Sequence, residues 1–312
     1  MAVEAGAGPQ RVEAEALRQR SYRIVRLRHP GRWLAGIVVL GLLALLVQAF
    51  AHGQIQWNVV AEFLTAGVIV RGFGITLLIS ALAMLLGISL GTIFAVMRLS
   101  ANPVTRFVAW LYVWIFRGTP VLLQLLIWFN IALVFPRIVI PGVFEGRTVD
   151  VVTPFVAALL GLGINEGAYM TEVVRGGINS VDHGQTEAAN TLGMSRFQTL
   201  RRIILPQAMR LIVPVLGNSA IGMLKFSSLA AAISCTEMLN AAQQVYFVNG
   251  AVIELLFVCA IWYLAATTVL SIVQYFIEKH YGKGASRKSV WSSFKLPFGF
   301  GTAATPAMEK AQ

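Results

Sequence analysis

Six stretches of this chain are apolar for at least about the 20 residues that a helix needs to cross a bilayer, and no other feature so narrows what it can fold into. They run from about 33 to 51, 72 to 97, 107 to 134, 152 to 174, 206 to 232 and 251 to 278. Of 312 residues, 57% are hydrophobic and only 12% charged, with a mean hydropathy of +0.71, which excludes a soluble globule. The expected fold is all-α and transmembrane, with about six membrane-spanning helices. The third and fifth stretches are long and carry internal Pro or Gly, so each reads as a broken helix or as an elbow plus a span.

A formal charge of +11 would suggest nucleic acid in a soluble protein, but its placement here gives another answer. Arg11, Arg18, Arg20, Arg23, Arg26, Arg28 and Arg32 precede the first span, and Arg98 and Arg106 join the second and third. Arg175, Arg196, Arg201, Arg202 and Arg210 surround the loop after the fourth, and Lys279, Lys283, Arg287, Lys288, Lys295 and Lys310 follow the sixth. All of these fall on one side of a six-span arrangement, against Arg71, Arg137 and Arg147 on the other. The positive-inside rule then puts both termini and the loop after span four in the cytoplasm.

The first apolar run lies behind some thirty polar, basic residues and lacks an Ala-x-Ala site, so it reads as a retained anchor helix. Residues 1–32 and 284–312 read as loosely ordered cytoplasmic tails. Cys235 and Cys259 show no metal spacing and sit in apolar surroundings, where buried inert thiols are expected, though similar depth leaves a disulfide open.

The loop after span four is the most informative polar segment. Asp182 followed by Gln185 reads as a capping-box start, predicting a short helix from His183 to Leu192 that stops at Gly193. Ser195 and Gln198 repeat the device and start a second helix at once. Pro206 follows near the entrance of the next span, where a missing donor and a fixed φ are tolerated or produce a kink. The positions Glu187, Ala188, Ala189, Gly193, Ile203, Leu205 and Pro206 resemble the EAA loop of bacterial ABC-transporter permeases, on which a separate ATPase subunit acts.

Three further strings narrow the resemblance to the polar amino-acid branch of these permeases, the histidine and glutamine permease type. They are Arg117-Gly118-Thr119-Pro120; Ala168-Tyr169 leading through Glu172 to Arg175-Gly176-Gly177; and Lys225 with Ser227-Ser228-Leu229. The resemblance covers residues 70–280, implying a five-helix permease domain with its EAA loop at 182–206, plus one additional N-terminal span at 33–51.

These strings also mark a tentative substrate pathway: Arg117, Asn165, Glu166, Glu172, Lys225, Ser227 and Ser228. An arginine in mid-span must face protein, water or headgroups. Trp110, Tyr112 and Trp114 before it read as an interfacial aromatic belt, and Arg117 either fixes the bend before Pro120 or contacts the pathway. Glu166 and Glu172 either pair, with Lys225 as the obvious partner, or line a cavity. Gly161, Gly163 and Gly167 favour the cavity for Glu166, by permitting close approach there. Phe226 stands where the resemblance calls for a small polar residue, which reduces the expected polarity of the route.

No G-x-x-x-x-G-K-[ST] phosphate loop occurs, and His29, His52, His183 and His280 form no metal-ligand spacing. The resemblance therefore implies a non-catalytic inner-membrane permease subunit that binds no cofactor. ATP and Mg would be used by partner ATPase subunits; a second permease copy or paralogue and a periplasmic solute-binding protein would complete the importer. Loops 135–150 and 233–250 are the expected seats for the binding protein. The alternative is a secondary transporter driven by an ion gradient, with Glu166, Glu172 and Lys225 as its coupling residues.

Overall fold

The computed structural model describes residues 30–53 and 55–281, in two units divided after Ile55. The tail residues 1–29 and 282–312, with the cations assigned to them, lie outside the described residues. The first unit holds helix α1 (Pro30–His52), apolar over its whole circumference as a helix solvated by lipid is.

The second unit opens with α2 (Trp57–Leu64), tied to a distant part of the chain by Gln56 N–H donating to the buried Glu254 carboxylate at 3.0 Å. Then come α3 (Gly67–Arg98), α4 (Pro103–Gly118) and α5 (Val121–Phe129), followed by a short hairpin, β1 (Arg137–Ile140) and β2 (Phe144–Arg147), with Gly142 at φ 73° in its turn. After the one-turn α6 (Thr148–Val151) the chain forms α7 (Pro154–Asn179), α8 (His183–Thr191), α9 (Arg196–Thr199), α10 (Leu205–Phe226), α11 (Met238–Asn249) and α12 (Val252–Tyr281).

Among the described residues four helices, α1, α3, the segment ending in α10, and α12, are each long and apolar enough to cross a membrane. The pair α4 and α5 makes a fifth, bent by 102°. Helix α7 is about 39 Å long at 1.5 Å per residue but is not in this set, because Asn165, Glu166, Glu172 and Arg175 interrupt its apolar run.

The third apolar stretch is thus a broken helix. Proline at 120 forces Thr119 into extended backbone (φ −115°, ψ 144°), which ends α4. The carbonyls freed there are not left bare: Gln124 Nε2 donates to the carbonyls of Phe116 (3.0 Å) and Thr119 (3.2 Å), and Asn165 Nδ2 donates to Phe116 at 2.8 Å. The aromatic belt expected before the break divides. Trp110 and Trp114 are exposed and stacked, whereas Tyr112 is buried and donates to the Ile164 carbonyl at 2.7 Å.

The two long helices α3 and α7 run side by side in the same direction with glycines at their contact. A Cβ on Gly87 would lie 2.9 Å from Glu166 Cβ, one on Gly167 would lie 2.9 Å from Leu90 Cβ, and one on Gly91 would fall on Met170. In lipid, where apolar burial does not drive helices together, small residues allow the close packing that does. One apolar core gathers Ile79, Leu125, Leu162, Met223 and Ile233; a second gathers Val60, Ile69, Met238, Leu255 and Val258. Cys235 lies in the first and Cys259 in the second, both buried and free, so the disulfide left open by the sequence is not formed.

The stretch 233–250 is not the open loop that the sequence suggested. It is mostly α11, whose Met238, Asn240, Ala241 and Ala242 are buried, leaving Phe247 and Val248 exposed at its far end. The cause is Glu237. Fully buried, it accepts hydrogen bonds from Asn240 N–H (2.8 Å), Thr76 Oγ1 (3.2 Å) and Tyr263 Oη (3.2 Å), capping α11 and fastening it to α3 and α12.

Candidate functional site

A cavity of about 740 Å³ opens where the α4/α5 break, α7 and α10 meet, a volume typical of small-molecule sites. Its polar lining is Arg117, Thr119, Asn165, Glu166, Tyr169, Asn218 and Ser219, against apolar Leu162, Met223 and Phe226. Glu166 is 9% exposed and has Ser219 as a hydrogen-bonding neighbour, and its Oε1 has no partner among the described residues. A buried carboxylate oxygen without a donor is costly, so the wall is arranged around something other than its own stability.

Arg117 lies with its guanidinium 5.1 Å from the centroid of the Tyr169 ring, a cation–π contact. It also lines a second, shallower cleft with Arg98, Trp110, Trp114, Tyr169 and Glu172. Arg117, Gly118 and Tyr169 are common to both hollows.

The structure brings together three of the expected pathway residues, Arg117, Asn165 and Glu166. The others go elsewhere. Glu172 does not pair with Lys225: its carboxylate is held by Arg175 (Nε at 2.9 Å) and approached by Arg98 Nε at 3.8 Å. Arg175 follows at i+3 on the same helix face, a pairing that spacing alone makes favourable. Lys225 is exposed and neither carboxylate is its partner, so the trio required by a secondary transporter does not assemble. Ser227 is buried and donates to the Leu224 carbonyl, and Ser228 donates to that of Lys225, each at 2.7 Å. Both close the turn into the 3-10 segment Ser227–Ile233 and neither lines the cavity. Sequence reasoning missed Asn218 and Ser219 as lining residues; their signal was a polar pair inside the apolar run between Pro214 and Lys225.

The EAA-like segment folds nearly as expected. Asp182 caps α8 by accepting from Gly184 N–H at 2.8 Å, but Gln185 offers its main-chain N–H to the Asp182 carbonyl, so the reciprocal box is absent. The helix ends at Thr191, one residue early. Gly193, at φ 72°, closes a Schellman turn in which Met194 N–H reaches the Ala189 carbonyl and Gly193 N–H that of Asn190, each at 3.0 Å. Ser195 and Gln198 form the full capping box ahead of α9. A π-helical turn, Leu200–Ile204, then leads into α10, where Pro206 lacks the N–H that a regular ladder would require.

Exposure corrects one expectation. Glu187 and Ala188 face outward, but Ala189 is buried within the chain, so only one alanine of the pair lies on the surface. Ile203 is half-buried, Leu205 and Pro206 are exposed, and Leu192 (80%) and Phe197 (68%) stand out on either side of Gly193. These two apolar side chains on a polar segment were not singled out from sequence; their flanking of a left-handed glycine was the available sign.

Residues 83–283 match the family described as binding-protein-dependent transport system inner membrane component. The chain is 42% identical to the arginine transport system permease protein ArgU of Corynebacterium glutamicum over 84% of its own length and 83% of that protein's. It is 31% identical to the glutamine transport system permease protein GlnP of Escherichia coli K12, over 72% of this chain and 97% of the relative. Among solved structures, an amino acid ABC transporter crystallised with histidines superposes with a TM-score of 0.60 at 33% identity, covering 68% of this chain and 94% of the other. The chain belongs to the family of binding-protein-dependent transport system inner membrane components, the permease subunits of ABC importers.

Proposed function

We propose that this permease carries a polar amino acid bearing a cationic group, taken up by an ATP-driven importer. The observation that carries the reading is Glu166, a buried carboxylate with an unpartnered oxygen on the wall of a cavity of small-molecule size. A guanidinium or ammonium supplies the missing donors, and Asn165, Asn218 and Ser219 offer further polar contacts around it. The similarity to an arginine transport permease supports the same class of solute.

Each chain provides half of a pathway, completed by a second copy or a paralogue, with two ATPase subunits on the cytoplasmic face and a solute-binding protein outside. ATP and Mg belong to the ATPase; this subunit is non-catalytic. The residues Glu187, Ala188, Gly193, Leu205 and Pro206, with Leu192 and Phe197, form the surface on which the ATPase acts, while Ala189 and Ile203 hold that surface to the body. Closure of the motor displaces α8, and the cavity is presented to alternate sides of the membrane. Cation placement along the sequence puts both termini and α8 in the cytoplasm.

Glu166→Gln tests the solute assignment, because it removes charge at nearly constant volume. Arginine uptake by the reconstituted complex should fall at least about tenfold, the weight of one charge-assisted hydrogen bond, while assembly and basal ATP hydrolysis persist. Unchanged arginine uptake would show that the Glu166 charge does not hold the solute, and a complex that no longer assembles would show that Glu166 is structural.

A further inference from the structure

α10 runs from the ATPase-facing segment to the cavity wall, and a proline divides the two parts. Ile203, Leu205 and Pro206 lie at its start, whereas Val215, Asn218, Ser219, Gly222, Met223 and Phe226, its contributions to the cavity, all come after Pro214. The Pro214 ring presses on the preceding turn and the missing N–H deprives the Arg210 carbonyl of its intrahelical donor, so the helix is weakest there.

Gln274 of α12 seats beside this weak point, on the Pro214 carbonyl and not on the Arg210 carbonyl that lost its donor. It is 6% exposed in a highly apolar helix, and its Nε2 donates to the Pro214 carbonyl and to Glu278 Oε1, each at 2.8 Å. Gly217, one turn beyond Pro214, makes room for it: a Cβ on Gly217 would coincide with the Gln274 amide. The amide is not explained by its own stability, because its Oε1 is buried with no partner among the described residues. Proline, glycine and glutamine therefore form one matched device: a weakened helix, a notch beside it, and a side chain from the neighbouring helix seated in that notch.

We propose that Gln274 is a positioning residue that latches the Pro214 joint, making α10 rigid enough to transmit movement from the ATPase-facing segment to the cavity wall. The proposal rests on the reading of residues 187–206 as the coupling surface. With the latch closed, displacement of residues 203–206 becomes displacement of residues 215–226. With it open, the joint bends and absorbs the stroke, and ATP is hydrolysed without moving solute.

The test uses the complete complex in proteoliposomes and reads arginine taken up per ATP hydrolysed. Gln274→Leu keeps the volume and removes the donor; Gly217→Ala expels the amide from its notch. Each should lower the ratio about fivefold, the weight of one neutral hydrogen bond, in complexes of unchanged melting temperature. The double variant should be no worse than the more damaging single one, because both changes break the same contact. A wild-type ratio for Gln274→Leu, or effects that multiply in the double variant, would overturn the latch, and Gln274→Leu alone decides if Gly217→Ala does not assemble. Gly193→Val serves as the reference. If it uncouples while Gln274→Leu does not, only the latch is wrong; if neither uncouples, the coupling reading itself fails.

Discussion

Gly193 allows the proposed coupling turn to be tested through its backbone alone. Its φ is 72°, and a Cβ at this position would meet nothing within 4 Å, so any substitution acts through conformation and not through crowding. An L-residue in this region costs about 1–2 kcal/mol, with alanine at the low end and β-branched valine at or above the high end. The turn is closed by the two hydrogen bonds from Gly193 and Met194, worth about 1 kcal/mol each. Alanine therefore weakens the closed turn roughly fivefold and valine roughly thirtyfold, and valine offsets everything the two bonds contribute. Asparagine, which tolerates left-handed backbone, should remain near wild type. Arginine uptake should thus rank Gly, Asn, Ala, Val, with equal amounts of protein in the membrane by immunoblot and with ATP hydrolysis by the Val variant no longer responding to loaded binding protein. If Asn were as damaging as Val, the fault would lie in adding any side chain to the docking surface, and the conformational argument would be refuted.

Two more outcomes follow from the packing. Gly91→Val places a branched side chain on Met170 and forces α3 from α7, an overpacking cost of about 1–3 kcal/mol; the purified permease should melt at a lower temperature, whereas Gly74→Val on the same helix, with nothing within 4 Å, should not. Gln124→Leu strips the donors from the Thr119 carbonyl at the 102° bend, and an unpaired carbonyl at that depth costs about 1–3 kcal/mol; melting temperature and uptake should both fall, and a variant matching wild type in both would show that Asn165 alone holds the bend.

What could be read from the sequence were features with a local cause. The capping box at Ser195, the left-handed Gly193 and the break before Pro120 each depend on a few neighbouring residues, and each lies where the spacing places it. Partnerships across helices were not legible. Lys225 is the partner that charge alone offers Glu172 if it pairs at all, but Arg175 one turn away and Arg98 at the end of a parallel helix are nearer. Ala189 reads as a surface residue by analogy with Ala188, yet a rotation of 100° per residue turns one inward and the other outward. Glu237 looked like part of an external loop because a carboxylate in hydrocarbon is rare, and nothing local announces that Thr76 and Tyr263, 161 and 26 residues away, supply its donors.

The glycine contacts between α3 and α7 bear on which parts of the permease can move at all. At this seam the glycine backbones lie close to the side-chain roots of Glu166, Met170 and Leu90, leaving no room for even a methyl group between the helices. Packing this close is expected to make the pair move as one piece, so that Glu166 keeps its place relative to both helices while neighbouring elements shift. Labels on α3 and α7 would keep a constant separation throughout turnover, making this pair the natural frame of reference against which the travel of α10 is measured.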